Sequence, residues 1–351
     1  MPATANCKIL IVRNDKLGDF MLSLPVFAAL KQNLPHCELH ALVPAYTREI
    51  AEASPWIDRV ILDPGQQATL SDQWEFVRQI RRTDYQALIT LFSTTRVGLF
   101  GWLAGIPVRF APATKLAQVF YNHRITQRRS RSLKPEHEYN LDLALAYLAS
   151  QGIHNPPKPG PPYLRFPAQE ISSLRQAFAR EHAIDADRKL VFVHPGSGGS
   201  ANNLGPEQYA ELITRLSANP SLHFVLSAGP GEQQGVEKVS ELIARVPHTR
   251  YLSDRGLTDF ARHLAFADAF IAGSTGPLHL AGALDRPTVG FYTRRRSATP
   301  LRWQTLNRAG RRLAITPPEQ SEAEDMRAID INAAAKTIGD FLEQLDGPPQ
   351  P

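Results

Sequence analysis

Little in this chain of 351 residues suits redox or metal chemistry: it has two cysteines and three methionines, and no HExxH, CxxC or EF-hand spacing. No dedicated metal site and no cofactor are therefore expected. Cys7 and Cys37 open two predicted strands outside any histidine-rich neighbourhood, so they read as buried apolar thiols, and a disulfide scaffold is excluded. No window reaches the roughly 20 apolar residues that a membrane-spanning helix requires. The start, MPATANCKIL, lacks a basic head, a long apolar run and a small-residue cleavage site. A cytoplasmic location is expected, with any membrane contact peripheral. Charge of one sign is scarcely in excess: the net +5 suits an anionic partner such as a phosphate-bearing substrate or an acidic membrane face, but is too weak to imply nucleic acid.

What is present is an ordinary globular balance, 43% hydrophobic and 21% charged, on a chain long enough for two cores. Apolar runs rich in β-branched residues alternate with segments of helical period, the pattern of βαβ units around a parallel sheet. In the first half the predicted strands are Lys8 to Arg13, Glu38 to Val43, Arg59 to Asp63 and Ala87 to Phe92. Helices are expected around Phe20 to Asn33, bent at Pro25, and around Leu70 to Arg82, Arg96 to Ala104 and Glu136 to Ser150. The stretch HNPPKPGPPYLRFP, residues 154–167, has six prolines in fourteen positions and cannot form a helix or an interior strand, so it reads as a linker. The alternation then restarts with strands at Leu190 to Gly196, His223 to Gly229, a short TRYLS, Ala269 to Ser274 and Thr288 to Thr293. The expected division is a first Rossmann-like domain over 1–153, the linker, a second over 168–328, and a last helix and tail over 329–351 that packs back on the first domain. Two such halves imply an interdomain cleft lined by the carboxyl ends of the strands.

Four loops follow strands directly. In RNDKLGDF, Lys16 lies in the turn, Gly18 lets the backbone turn closely, and Asp19 is either a helix cap or a carboxylate presented to the cleft. In VHPGSGGSANNLGPEQY, glycines and serines including Ser197 and Gly198, followed by Asn202, form either a flexible loop or a nest of N–H groups for phosphate. It is neither a Walker A loop nor a dinucleotide fingerprint. In SAGPGEQQ, Glu232 either caps a helix or accepts hydrogen bonds from a ribose. In IAGSTGPLHLAGAL, Ser274 and Thr275 are good N-cap types, Gly276 permits close approach and Pro277 suits a first helical turn, so a diphosphate can be seated there. His279, one turn in, is either structural or a phosphate ligand. Arg294, Arg295 and Arg296 follow the last strand as either a solvated run or a further phosphate contact.

Taken in order and spacing, ILIVRNDKLGDFMLSLPVFAALKQNLP, HPGSGGSANNLGPEQYAELI, AGPGEQQ and FIAGSTGPLHLAGALDRPTVGFY resemble glycosyltransferase family 9, the heptosyltransferase family, over nearly the whole chain. The resemblance implies a GT-B fold, an α/β architecture of two Rossmann-like domains, acceptor on the first and nucleotide sugar on the second. It implies inverting, metal-independent transfer of a sugar, heptose from ADP-heptose in the best-known members, to the lipopolysaccharide core at the cytoplasmic face of the inner membrane. By the same resemblance Asp19 is the catalytic acid residue, Thr275, Gly276 and His279 fall on the diphosphate turn, and Glu232 binds the ribose. The chain departs from the family at Asn202 and Asn203, where a lysine or arginine is frequent, and at Ser274, where the heptosyltransferase I pattern has an aspartate. Two other classes stand beside this one. A catalytically silent nucleotide-sugar or glycan binding protein would share the binding residues, and a nicotinamide oxidoreductase would share the alternation but needs a glycine fingerprint that RNDKLGD does not supply.

Overall fold

The apolar runs marked as strands pair in parallel, with helices between them, in a computed structural model that describes residues 7–345 except 115, 197, 200 and 201. The chain divides into two compact units, Met1–Tyr163 and Leu164–Pro351, and the division falls inside the proline-rich stretch.

The first unit runs β1 (Lys8–Val12), α1 (Leu17–Met21), α2 (Leu24–Asn33), β2 (Glu38–Val43), α3 (Arg48–Glu52), β3 (Arg59–Leu62), α4 (Leu70–Thr83), β4 (Ala87–Thr90), α5 (Thr95–Leu103), β5 (Val108–Pro112), β6 (His123–Ile125) and α6 (Glu136–Ser150). The strands lie in the order β3-β2-β1-β4-β5-β6, all parallel. The chain winds outward from β1 on one side and then places β4 on the other, so the order reverses between β1 and β4, where open α/β sheets bind ligands. β1 is apolar from Ile9 to Val12 because both its faces are covered: Leu10 and Val12 join a core with Leu42, Phe76, Ile80 and Phe100, while Ile9 and Ile11 on the other face are fully buried.

The helix expected to bend at Pro25 is broken instead. α1 stops at Met21 and α2 restarts at Leu24, with Pro25 in its first turn, where a missing N–H costs no intrahelical bond. The cysteines are not free thiols: Cys7 and Cys37 form a disulfide, Cα to Cα 4.6 Å. The reason lies in the register, since Lys8 and Glu38 are direct partners in the parallel β1–β2 pair, which sets the residues just before them side by side.

The second unit runs α7 (Ala168–Glu181), β7 (Lys189–His194), α8 (Pro206–Leu216), β8 (Leu222–Ala228), α9 (Gln233–Leu242), β9 (His248–Leu252), α10 (Leu257–Leu264), β10 (Ala269–Gly273), α11 (Gly276–Ala283), β11 (Thr288–Phe291), β12 (Arg312–Ile315) and α12 (Ile331–Gln344). Its sheet, β12-β11-β10-β7-β8-β9, is parallel and repeats the permutation of the first, with the reversal between β7 and β10. Val191, Val193, Phe224 and Ile271 pack with α8 and with Ile338, Phe341 and Leu342 of α12. The last helix thus packs into the second unit's own core.

Candidate active site

In the first unit the site grows from the end of β1. Arg13, the residue after the strand, is 3% exposed, and its guanidinium is fully engaged. Its Nε donates to Asp15 Oδ1 at 2.7 Å, one terminal nitrogen donates to Glu136 Oε1 at 3.1 Å and Asn140 Oδ1 at 3.2 Å, and the other donates to Asp19 Oδ1. Glu136 and Asn140 stand one turn apart on α6 and so share a face. Glu136 also receives Arg129 at 2.7 Å. Asp19 lies in the first turn of α1, but the N-cap position belongs to Lys16, with no side-chain cap bond. The carboxylate that the sequence offers as a cap is held by Arg13 instead. Gly18 is buried beside it and Lys16 is exposed.

The electrostatics of this cluster are unusual for an ion pair. Burial pushes the Asp19 carboxyl up, from the usual 3.8 to about 6; Arg13 pulls it down, and Asp15 and Glu136 add to the rise. Burial disfavours the charge on Arg13, but its three carboxylate neighbours outweigh that and raise its pKa. A carboxyl group placed in this way is partly neutral near pH 6 and ionised at pH 7 and above, the range in which a general base works.

In the second unit three loops meet at neighbouring strand ends, those after β7, β8 and β10. Thr275 is the N-cap residue of α11, with extended backbone and no side-chain cap bond. Its amide donates to the Gly273 carbonyl at 2.7 Å, so it is not one of the N–H groups available to a ligand. What the turn does offer is the hydroxyl of Thr275, 3% exposed and without a hydrogen-bond partner among the described residues, and the amides of Gly276 and Leu278, which have no intrahelical acceptor at this end of a helix. Pro277 has no amide to offer. Ser274 is half-buried, its amide on the Phe291 carbonyl. His279 is buried one turn in, its ring 6.3 Å from that of Trp303, over which Arg302 lies at 5.8 Å.

Glu232 sits at the start of α9 with its carboxylate turned back over the loops rather than capping the helix. It accepts from the Gly229 amide at 3.0 Å and pairs with His194 at 3.1 Å. The His194 hydrogen bond, working against burial, holds its carboxyl below the usual range; the Gly229 and Gly198 amides act in the same direction. Gly198 has φ +50°, a left-handed turn that favours glycine, and Gly196 lies so close under the carboxylate that a Cβ there would stand 2.4 Å from the carboxyl carbon.

The structure brings together Asp19 and Gly18 in one unit, and Gly198, Glu232, Ser274, Thr275, Gly276 and His279 on adjacent loops in the other. Ser197 lies outside the described residues. Asn202 is exposed, 3.4 Å from Glu324 Oε2. Its neighbour Asn203 is built in: it receives Tyr209 at 2.7 Å, donates to the Pro195 carbonyl at 2.9 Å and packs over Gly273, tying the β7 loop to the end of β10. One terminal nitrogen of the Arg294 guanidinium donates to the carbonyls of Glu319 and Ser321, which ties this side chain to the segment over residues 319–321. Sequence reasoning missed Arg13, Glu136, Asn140 and His194. Their one visible signal is a charged or polar residue closing an apolar strand or lying on the apolar face of a helix. For metal, Cys7, His36 and Cys37 are the group whose ligand atoms come together among the described residues; the two sulfurs are already joined, and the group precedes β1 and β2, at the strand ends away from Asp19.

Tandem six-stranded parallel sheets of this order, with a partly buried acid at one switch point and an open helix N-terminus at the other, make up the GT-B fold. The sequence profile of glycosyltransferase family 9 (heptosyltransferase) matches residues 73–327, and the chain belongs to that family. It is 44% identical over 341 residues, 96% of this chain and 97% of the relative, to a Haemophilus influenzae protein provisionally named a glycosyltransferase. It is 24% identical to lipopolysaccharide heptosyltransferase 2 of Salmonella typhimurium, over 81% of this chain and 82% of that one. The structure of E. coli ADP-heptose lipopolysaccharide heptosyltransferase II superposes with a TM-score of 0.76 at 19% identity, covering 97% of this chain and all of that one. Within this family the present chain is a glycosyltransferase related to the lipopolysaccharide heptosyltransferases.

Proposed function

We propose that the protein is an inverting, metal-independent glycosyltransferase that moves heptose from ADP-heptose to the lipopolysaccharide core or a related glycan acceptor, at the cytoplasmic face of the inner membrane. Asp19 takes the proton from the acceptor hydroxyl. The oxygen then bonds to the anomeric carbon on the face opposite the diphosphate, the carbon–oxygen bond to the diphosphate breaks, and ADP leaves with that electron pair. The charge developing on the diphosphate meets the Thr275 hydroxyl, the Gly276 and Leu278 amides and the positive end of α11, with His279 beside them. Glu232 accepts from the ribose. A helix N-terminus is sufficient to seat a diphosphate, which supports a reaction without a metal ion.

The observation that carries the reading is the state of Asp19: a carboxylate only 13% exposed at a topological switch point, held by Arg13 and not by the helix it sits on, with its pKa raised to about 6. The donor and acceptor are supported by the names of the relatives. The test is transfer from ADP-heptose to a core acceptor lacking its heptose, with Asp19→Asn as the comparison. The variant keeps the shape and loses the proton acceptor, so turnover should fall by about 10²-fold or more with nucleotide affinity little changed. Near-normal turnover in a folded Asp19→Asn protein sinks the assignment, and a protein that binds ADP-heptose without ever transferring it is the silent binding protein instead.

A further inference from the structure

β7 ends on His194, and strand periodicity places that ring on the face of Phe192, opposite Val191 and Val193. It is 2% exposed and set between the rings of Phe260 and Phe270, each 6.2 Å away. Both nitrogens are engaged. Nδ1 lies 3.1 Å from Ser227 Oγ, on the neighbouring strand β8, and Nε2 lies 3.1 Å from Glu232 Oε2. A carboxylate only accepts, so Nε2 carries a proton toward Glu232, and Nδ1 is left to Ser227. The one Ser227 hydroxyl proton has two acceptors in reach, Nδ1 at 3.1 Å and the Val193 carbonyl at 3.4 Å; directed to the nearer Nδ1, it fixes that tautomer. Oε2 of Glu232 thus receives two donors, His194 Nε2 and the Gly229 amide, the Gly198 amide acts on the same group, and the carboxylate, 17% exposed, sits directly on the bare backbone of Gly196.

We propose that His194, oriented by Ser227, is a positioning residue for ribose recognition: it holds the Glu232 carboxylate in the one orientation that accepts both hydroxyls of the donor ribose. The inference rests on the reading of Glu232 as the ribose acceptor and adds to it the two buried side chains that make it selective. A glutamate side chain has three free torsions, and on an exposed helix start it would sample many of them. A carboxylate fixed beforehand meets two neighbouring hydroxyls without that ordering cost. The consequence is specific: loss of His194 should remove the preference for a ribose with its hydroxyls, while contacts to the diphosphate and base stay as they are.

The experiment is calorimetric titration of ADP and of 2′,3′-dideoxy-ADP into the wild type, His194→Phe, His194→Gln, Ser227→Ala and Glu232→Gln. The wild type should favour ADP by about tenfold or more, the range for hydrogen bonds to a charged group. His194→Phe keeps the ring volume among Phe260 and Phe270, removes the donor, and should shrink that ratio to about threefold or less with dideoxy-ADP affinity unchanged. His194→Gln retains a donor and should keep most of the ratio, and Ser227→Ala should lower it partway, which gives a reading even if His194→Phe does not fold. A merely structural histidine would weaken both nucleotides alike and leave the ratio intact, and that result overturns the proposal. If the wild type does not distinguish the two nucleotides, the reading of Glu232 falls and this inference with it. If the ratio is present, is lost in Glu232→Gln and persists in both His194→Phe and Ser227→Ala, the reading of Glu232 stands and the positioning role alone is refuted.

Discussion

Acidifying the medium should switch the enzyme off well above the range in which ordinary aspartates titrate. An Asp19 with a pKa of about 6 is about one-eleventh ionised at pH 5 and about ten-elevenths ionised at pH 7, so kcat/KM, which reports the free enzyme, should climb about tenfold across that interval. A carboxyl group at the usual 3.8 is already more than about nine-tenths ionised at pH 5, and would give a nearly flat line. Because Asp15 raises the Asp19 pKa, Asp15→Asn should move the limb to lower pH, which separates Asp19 from any phosphate on the acceptor. The same perturbation has a stability arm. The folded pKa lies above the unfolded one, so the favourable contribution belongs to the protonated form; it is complete below about 3.8 and is lost as the pH rises through about 6. The gap corresponds to about 3 kcal/mol for a side chain that is 13% exposed. Asp19→Asn should therefore melt no earlier than the wild type at pH 8, while the two converge toward pH 4. The assay is initial-rate transfer between pH 5 and 8 in buffers of constant ionic strength, with melting curves on the same preparations. A flat kcat/KM between pH 5 and 7, or a limb unmoved by Asp15→Asn, refutes the argument from burial.

Transfer should persist in excess EDTA, since the diphosphate is assigned to a helix N-terminus and not to an ion; loss of activity on chelation with rescue by magnesium or manganese would count against the mechanism. Gly276→Val should weaken nucleotide binding, because a branched side chain at the first residue of α11 stands where the backbone must approach the diphosphate. Titration of ADP into the folded variant checks this, and unchanged affinity removes the turn from the site.

The sheets were the most legible part of the chain. β1, β2, β4, β7, β8 and β10 are buried on both faces, and the run of apolar residues that this requires is visible in any one of them. β5 and the edge strands β6 and β12 escaped, because Arg109, Arg124 and Arg312 interrupt their apolar runs. Asp19, Glu232 and Thr275 could be singled out because each lies in the segment that follows a strand. Their partners could not: Arg13 meets Glu136 across 123 residues, and His194 meets Glu232 across a loop. The disulfide was missed for a similar reason, since only the pairing of Lys8 with Glu38 brings Cys7 to Cys37.

The unsatisfied hydroxyl of Thr275 carries a further meaning. A buried polar atom left without a partner costs roughly 1–3 kcal/mol, and a valine of the same shape would avoid that cost. Evolution for rigidity alone would favour the valine. On the proposed donor seat, a threonine there means that the free protein gives up part of its resistance to heat so that the loaded protein gains a contact. The melting temperature of this enzyme should thus be read as a property of its loading state, with donor-bound molecules outlasting free ones under thermal stress.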